Sequence, residues 1–297
     1  MFVIKYRKIF YTISSILVAL SIFVTLLWGI NFGIDFTGGS ILEVEFNLDR
    51  LEKTQVEEVL SDLSFEKTFS VRETGENGYI LRSKTITDEE KSTIIGALGG
   101  DITEIRFNTI GPTLGAELRD KALISIAVVI LCIILFVAFA FRHVSKPVSS
   151  WRYGLVAIFA FVHDVSLPIG LFAILGHFFG VEVDTLFVIS ILVVLGYSIN
   201  DTIVVFDRIR ENLKRIPEKA RTNRFKEVVG KSLRQTMSRS IYTSLTTLIT
   251  LLALFFIGGE ATKWFALALI TGVIAGTYSS IFFAAPMLVT LSKIRKK

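Results

Sequence analysis

A chain of 297 residues that is 52% hydrophobic, with a single cysteine and a formal charge of +5, is no ordinary soluble domain, because its apolar runs are long enough to cross a bilayer. Cys132 alone excludes a disulfide framework or a cysteine metal site within the chain, and His143, His163 and His177 are too scattered to suggest a histidine one. The basic excess comes with no nucleic-acid-binding motif, and no H-E-x-x-H or G-x-S-x-G string argues for a hydrolase. A chain that is not an enzyme, with no metal and no nucleic-acid partner, is therefore expected.

Residues 1–8 carry Lys5, Arg7 and Lys8 and read as a cytoplasmic N-terminus. Residues 9–30 form the first expected span. The run is too long for a signal-peptide core, and no A-x-A cleavage site follows it. NFGIDFTGGS comes next, where Gly38-Gly39 is expected to end that helix in a tight turn.

Residues 31–120 read as an extracytoplasmic domain with its connections. ILEVEF alternates apolar and acidic residues as a strand does. Thr54 with Glu57 predicts a capping box opening TQVEEVLSDL, and Thr87 with Glu90 repeats it before EEKSTIIGAL. KTFSVRE and GYILRS read as strands joined by TGENG, and DITEIRFNTIG as the last strand. The order β-α-β-β-α-β is the ferredoxin-like split motif, an α+β insert between the first two membrane helices. The domain carries about twice as many acids as bases. Acidic pairs such as Glu57-Glu58 read as solvated helix faces.

Five further spans are expected at 121–141, 153–176, 185–206, 241–257 and 264–291. Arg142, Lys146 and Arg152 surround the connection after the second. Residues 207–239 form a basic loop, expected to be partly helical and to lie along the cytoplasmic surface, with eleven Lys or Arg from Arg208 to Arg239, and 292–297 form a basic tail. The connections after the third and fifth spans hold almost no bases. Basic loops stay in the cytoplasm, so a six-helix membrane bundle with both termini inside and the inserted domain outside is expected.

Charged groups within membrane helices cost about 2.5–3.5 kcal/mol each on insertion scales and mark functional sites. Asp201, flanked by Asn200 and Thr202, lies in the fourth span, about 9 Å along the helix from Asp207, where with Arg208 the helix leaves the lipid. His163-Asp164 lies about 18 Å from Arg152, near mid-depth of the third span. The fifth opens with Ser238-Arg239-Ser240. If the fourth and fifth helices are neighbours, Asp201 and Arg239 are placed to form an ion pair that a proton on the aspartate would release. A positive flank that snorkels to the headgroups explains Arg239 as well, and a packing hydrogen bond explains His163-Asp164. Ser244, Thr246, Thr247 and Thr250, with Gly272-x-x-x-Gly276, read as small residues at helix contacts.

FGIDFTGG (32–39), GYSINDTIVVFDRIREN (196–212), SRSIYTSLTTL (238–248) and TGVIAGTYSS (271–280) together resemble the SecF family, the smaller half of the SecD–SecF accessory of the bacterial protein-export channel. The likeness covers essentially the whole chain; more distantly, the layout looks like half of an RND-type transporter. The resemblance implies a bacterial cytoplasmic (inner) membrane protein that pairs with SecD in a pseudo-symmetric twelve-helix unit. It implies work beside SecYEG, with YajC and SecA as further partners, on preprotein substrates and among membrane lipids. Protons would be the coupling ion, with no other cofactor, and their gradient would help draw preprotein across after the ATP-driven step. By position, Asp201 looks like the family's proton-relay carboxylate and Arg239 like its partner. Asn200, Asp207, Arg208, Asp164 and His163 are secondary candidates, and Asp35, Gly38 and Gly39 belong to the motif after the first span. Ser240 departs from the family, where a threonine often stands, but keeps the hydroxyl. An RND-type exporter half, or an assembly subunit whose buried charges only hold two halves together, remain alternative readings.

Overall fold

The computed structural model describes residues 2–48, 50–63, 69–99, 101–141 and 148–294. The chain divides into two units: Met1–Asn31 with Ile124–Lys297, and Phe32–Leu123.

In the second unit a one-turn helix, α3 (Ile34–Thr37), leads into strand β1 (Gly39–Phe46). Helix α4 (Lys53–Asp62), strands β2 (Ser70–Thr74) and β3 (Gly78–Ser83), helix α5 (Asp88–Ala97) and strand β4 (Ile102–Ile110) follow. The sheet order is β2-β3-β1-β4, with every neighbouring pair antiparallel. Alternation does the sorting. Leu42, Val44 and Phe46 of β1, with Tyr79 and Leu81 of β3, pack against Val56 and Leu60 of α4, Ile94 of α5 and Leu98 just after it. Ile41 and Ile80 point to the other face, where they meet Ile34 and Ile110.

Both capping signals mark real helix starts, but the first is one partner set off. The Glu52 N–H donates to Gln55 Oε1 at 2.9 Å, so Glu52 rather than Thr54 caps α4. At α5 the expected box forms: the Thr87 N–H donates to Glu90 Oε2 at 2.7 Å and the Glu90 N–H to Thr87 Oγ1 at 3.3 Å. The start of the expected strand KTFSVRE lies outside the described residues.

Gly38-Gly39 does not end the first long helix. That helix stops at Trp28 before Gly29, and the glycine pair closes α3 and opens β1 instead. Gly38 has φ 72° and Gly39 φ 134°, conformations that a side chain resists. A Cβ at Gly39 would stand 2.6 Å from the Ser83 carbonyl oxygen, and one at Gly38 2.8 Å from Pro112 Cα. Ser40 then ties three segments together, its Oγ lying 2.7 Å from Thr109 Oγ1 and accepting the Ile86 N–H at 2.9 Å. Gly39→Ala is expected to destabilise this unit by about 1–3 kcal/mol. The measurement is amide hydrogen exchange across β1 and β3 in the full-length protein; unchanged exchange would show that the strands absorb the methyl group without cost.

The first unit holds the long helices. After α1 (Phe2–Lys5) come α2 (Arg7–Trp28), α6 (Pro112–Ala140, which begins in the other unit), α7 (Ser150–Phe179), α8 (Thr185–Lys214), α9 (Glu218–Ile257) and α10 (Glu260–Tyr278). A π-helical turn at Ser279–Ala284 leads from α10 to α11 (Ala285–Ile294). Among the described residues, six segments are long and apolar enough to cross a membrane: α2, α6, α7, α8, α9, and α10 through α11. The core runs between them, with Phe141 stacked on Tyr153 at 5.1 Å and Phe206 edge-on to both.

The basic segment at 207–239, expected to be partly helical, is helical nearly throughout. Helix α8 continues to Lys214, and α9 starts at Glu218 and runs unbroken to Ile257. No proline lies between Glu218 and Ile257, so a helix begun at Glu218 can run unbroken to the Gly258-Gly259 pair. At about 60 Å it is twice as long as a bilayer core is thick. Its first half buries Phe225, Val228, Val229 and Leu233 against the same core as Ile209 and Leu213 of α8. Likewise α6 begins at Pro112, ahead of the expected span. Arg142, His143 and Lys146 of the short basic connection, and residues 295–297 of the tail, lie outside the described residues.

Candidate functional site

The buried side of α8 repeats at helical spacing through Ile191, Val194, Leu195, Ser198, Asp201, Thr202 and Val205. Three polar residues therefore ride on an apolar stripe and are carried into the bundle with it. Asp201 is 5% exposed, and its Oδ2 has no hydrogen-bond partner. On α9, Ser240 and Ser244 are buried beside it, close enough to act on its charge. Ser240 Oγ has no partner in bonding geometry either.

Arg239 does not form the expected ion pair. Helices α8 and α9 are neighbours, but among the described residues no ion pair joins Asp201 to Arg239, and the Arg239 side chain is exposed. One residue is a 100° step around a helix. With Ser240 turned toward Asp201, Arg239 stands on the adjoining outward face, within electrostatic range only.

Next to Asp201 lies a connected polar cluster. Asp164 of α7 is fully buried. Its Oδ1 is 2.9 Å from Nδ1 of His163, and its Oδ2 accepts the hydroxyls of Ser198 of α8 and of Ser279, the latter at 2.8 Å. Thr202 Oγ1 is 2.8 Å from Ser280 Oγ. The Tyr197 hydroxyl donates to Ser244 Oγ at 3.3 Å, and Ser244 Oγ is 2.6 Å from Thr277 Oγ1. Two prolines loosen the helices here. Pro168 removes the N–H that the Asp164 carbonyl would accept, and Pro286 follows the π-helical turn that presents Ser279 and Ser280. Glycines set the spacing: a Cβ at Gly272 would be 2.1 Å from Val194 Cγ2, and one at Gly276 3.0 Å from Ser198 Cβ.

The other expected site residues fall elsewhere. Asn200 is exposed. Asp207 is exposed and pairs with Arg210; Arg208 pairs with Glu211 and donates to Gln235 Oε1 at 2.8 Å. Asp35 sits in the first turn of α3 beside the glycine pair, in the other unit. Ser198, Thr202, Ser279 and Ser280 were not among the expected site residues. The hydroxyls within GYSINDT and GTYSS are the signal that pointed to them.

An inserted α+β unit and a bundle of long apolar helices with two carboxylates in its core define a class: multi-pass membrane proteins. The family described as "Protein export membrane protein SecD/SecF, C-terminal" matches residues 90–294, and "SecD/SecF GG Motif" matches residues 29–47. The chain belongs to the SecD/SecF family. It is 40% identical to "Protein translocase subunit SecF" of Thermobaculum terrenum, over 97% of this chain and 93% of that protein. It is 34% identical to "Protein translocase subunit SecDF" of Thermus thermophilus, over 95% of this chain but 37% of that protein. The crystal structure of a Thermus SecDF, described as a translocon-associated membrane protein, superposes with a TM-score of 0.82 at 32% identity. That likeness covers 98% of this chain and 38% of the SecDF chain.

Proposed function

We propose that this protein is the SecF half of a proton-driven accessory to the protein-export channel, with Asp201 as its proton-carrying group. The observation that carries the reading is the Asp201 carboxylate, buried on α8 with no counter-charge bonded to it. An ionised carboxylate left unpaired in apolar surroundings costs several kcal/mol. Such a group takes either a proton or a guanidinium, and Arg239 stands one helical step from the facing Ser240. Protonation of Asp201 leaves Arg239 on the outward face; loss of the proton draws it inward and turns α9 against α8. A proton falling through 100 mV releases about 2.3 kcal/mol to drive that exchange.

The partner is a SecD half, as the fused SecDF relative suggests. The further partners are SecYEG, with YajC and SecA, and the substrates are preproteins. The protein sits in the bacterial cytoplasmic membrane with both termini inside; the basic cytoplasmic connections support that orientation. The β-α-β-β-α-β order and the β2-β3-β1-β4 sheet support a ferredoxin-like reading of the outer unit. The test is export of a secreted reporter in cells whose only copy carries Asp201→Asn, with SecD co-purification from the same strain. Normal export would remove Asp201 as the coupling group.

A further inference from the structure

His163 and Asp164 take no part in the exchange between Asp201 and Arg239, yet they are the most deeply buried titratable pair described. His163 is 2% exposed and Asp164 0%. Three groups converge on one carboxylate: Nδ1 of His163 at Oδ1, and the Ser198 and Ser279 hydroxyls at Oδ2. They come from α7, α8 and the π-helical turn, so residues far apart in sequence have been gathered around it. Against that complete shell stands one vacancy. Nε2 of His163 is buried and has no hydrogen-bond partner, although buried polar atoms are nearly always bonded. The ring cannot relax away from this position, because Tyr278 stacks on it at 5.7 Å and Phe283 at 6.0 Å.

We infer that His163 and Asp164 form a second proton-binding site in this chain, hydrogen-bonded to the helix that carries Asp201. A carboxylate that accepts the Nδ1 hydrogen fixes the imidazole tautomer and leaves the Nε2 lone pair as the base. A proton taken there makes an imidazolium beside its own carboxylate, a neutral pair that needs no other counter-ion. When it leaves, the imidazole returns to the same tautomer, so one proton is taken up and one given back. Ser279 is placed to follow that cycle. Its hydroxyl lies 2.8 Å from Asp164 Oδ2 and 3.1 Å from the Gly276 carbonyl oxygen, and one hydrogen serves one acceptor at a time.

The site communicates with Asp201 through a short path. Ser198 is three residues before Asp201 on α8, roughly 4.5 Å along the axis, on the side away from the basic end of that helix. The titratable groups around His163 are few. Asp164 is on its own helix, Tyr278 comes from α10, Tyr11 of α2 lies behind Phe283, and Asp201 is on α8. Among the described residues no lysine or arginine pairs with Asp164.

The experiment is nitrogen NMR of histidine-labelled full-length protein in lipid vesicles, with the His163 signals assigned by their loss in His163→Asn. Asparagine keeps an N–H donor for Asp164 and removes the base. The expected result is that Nε2 gains a proton as the pH is lowered, while Nδ1 stays protonated throughout. Asp201→Asn is expected to displace that midpoint. In cells, His163→Asn is expected to lower proton-driven export at least about tenfold with SecD still co-purifying. A His163 ring that keeps one protonation state as the pH is lowered overturns the proposal, as does full export by His163→Asn. The proposal rests in part on the proton-coupling reading, but the two fail separately. Titration of His163 with normal export by Asp201→Asn removes Asp201 coupling and keeps the second site. Lost export by Asp201→Asn with a His163 that does not titrate does the reverse.

Discussion

Export of a secreted reporter is expected to collapse to its proton-independent level when Asp201→Asn is the only copy in the cell. Asparagine matches aspartate in size and keeps a hydrogen-bonding group at the same place, so packing in the core is kept. What it cannot do is take up and release a proton. The bias lost is about 2.3 kcal/mol for each proton falling through 100 mV, roughly a fiftyfold preference for the forward step. An uncoupler should therefore bring normal cells down to the level of the variant and leave the variant unchanged. Asp201→Glu, which titrates but reaches one methylene further, should recover part of the loss. SecD co-purification separates two kinds of failure. Lost export with an intact complex supports the motor. Lost export with a broken complex would make the carboxylate an assembly element, and normal export would exclude it from coupling.

Gly272→Leu is expected to be as damaging, for a steric reason rather than a chemical one. The first side-chain atom alone would fall 2.1 Å from Val194 Cγ2 and 2.7 Å from its Cγ1, and Val194 is 1% exposed. Neither helix has room to yield without separating. Overpacking of this kind costs about 1–3 kcal/mol, and more when the backbone must move. In a chain of this size each kcal/mol lowers the melting temperature by roughly 2–4 °C, so a fall of several degrees is expected in detergent. The consequence for function is larger. Pushing α10 off α8 withdraws Ser279 from Asp164 and Ser280 from Thr202, so export should be lost even at temperatures where the variant remains folded. Val194→Ala in the same chain should restore part of both. Gly196→Ala is the control, because nothing lies within 4 Å of a Cβ there; it should be tolerated. Equal damage from both glycine substitutions would mean that helix propensity, not the α8–α10 contact, is what matters.

Much of this molecule is written in local pattern. Hydropathy alone marks six long apolar segments, and the described residues hold six helices of that kind. Alternation in ILEVEF sends Leu42, Val44 and Phe46 to the helix-covered face of the sheet and leaves Glu43 and Glu45 on the other. The strings around Asp201 and Gly38-Gly39 carry the family. These features are legible because they depend on residues within a few positions of one another.

Whether Arg239 or Ser240 faces Asp201 is a different kind of question. The two neighbours are 100° apart on α9, and only the rotation of that helix against α8 chooses between them. The same holds for Asp164. Its position predicts a costly buried group, but Ser198 and Ser279 reach it because glycines at 272 and 276 let α10 approach α8 and because the chain widens into a π-helical turn ahead of Pro286. The helix at 207–239 extends further than expected for a tertiary reason too: Phe225, Val228 and Leu233 pack into the core beside Ile209 and Leu213. The sequence by itself determined the spans, the inserted unit, the family and which side chains would be expensive to bury. The tertiary structure alone decided which of those side chains meet, because helix rotation and close approach are settled by packing between segments far apart in the chain.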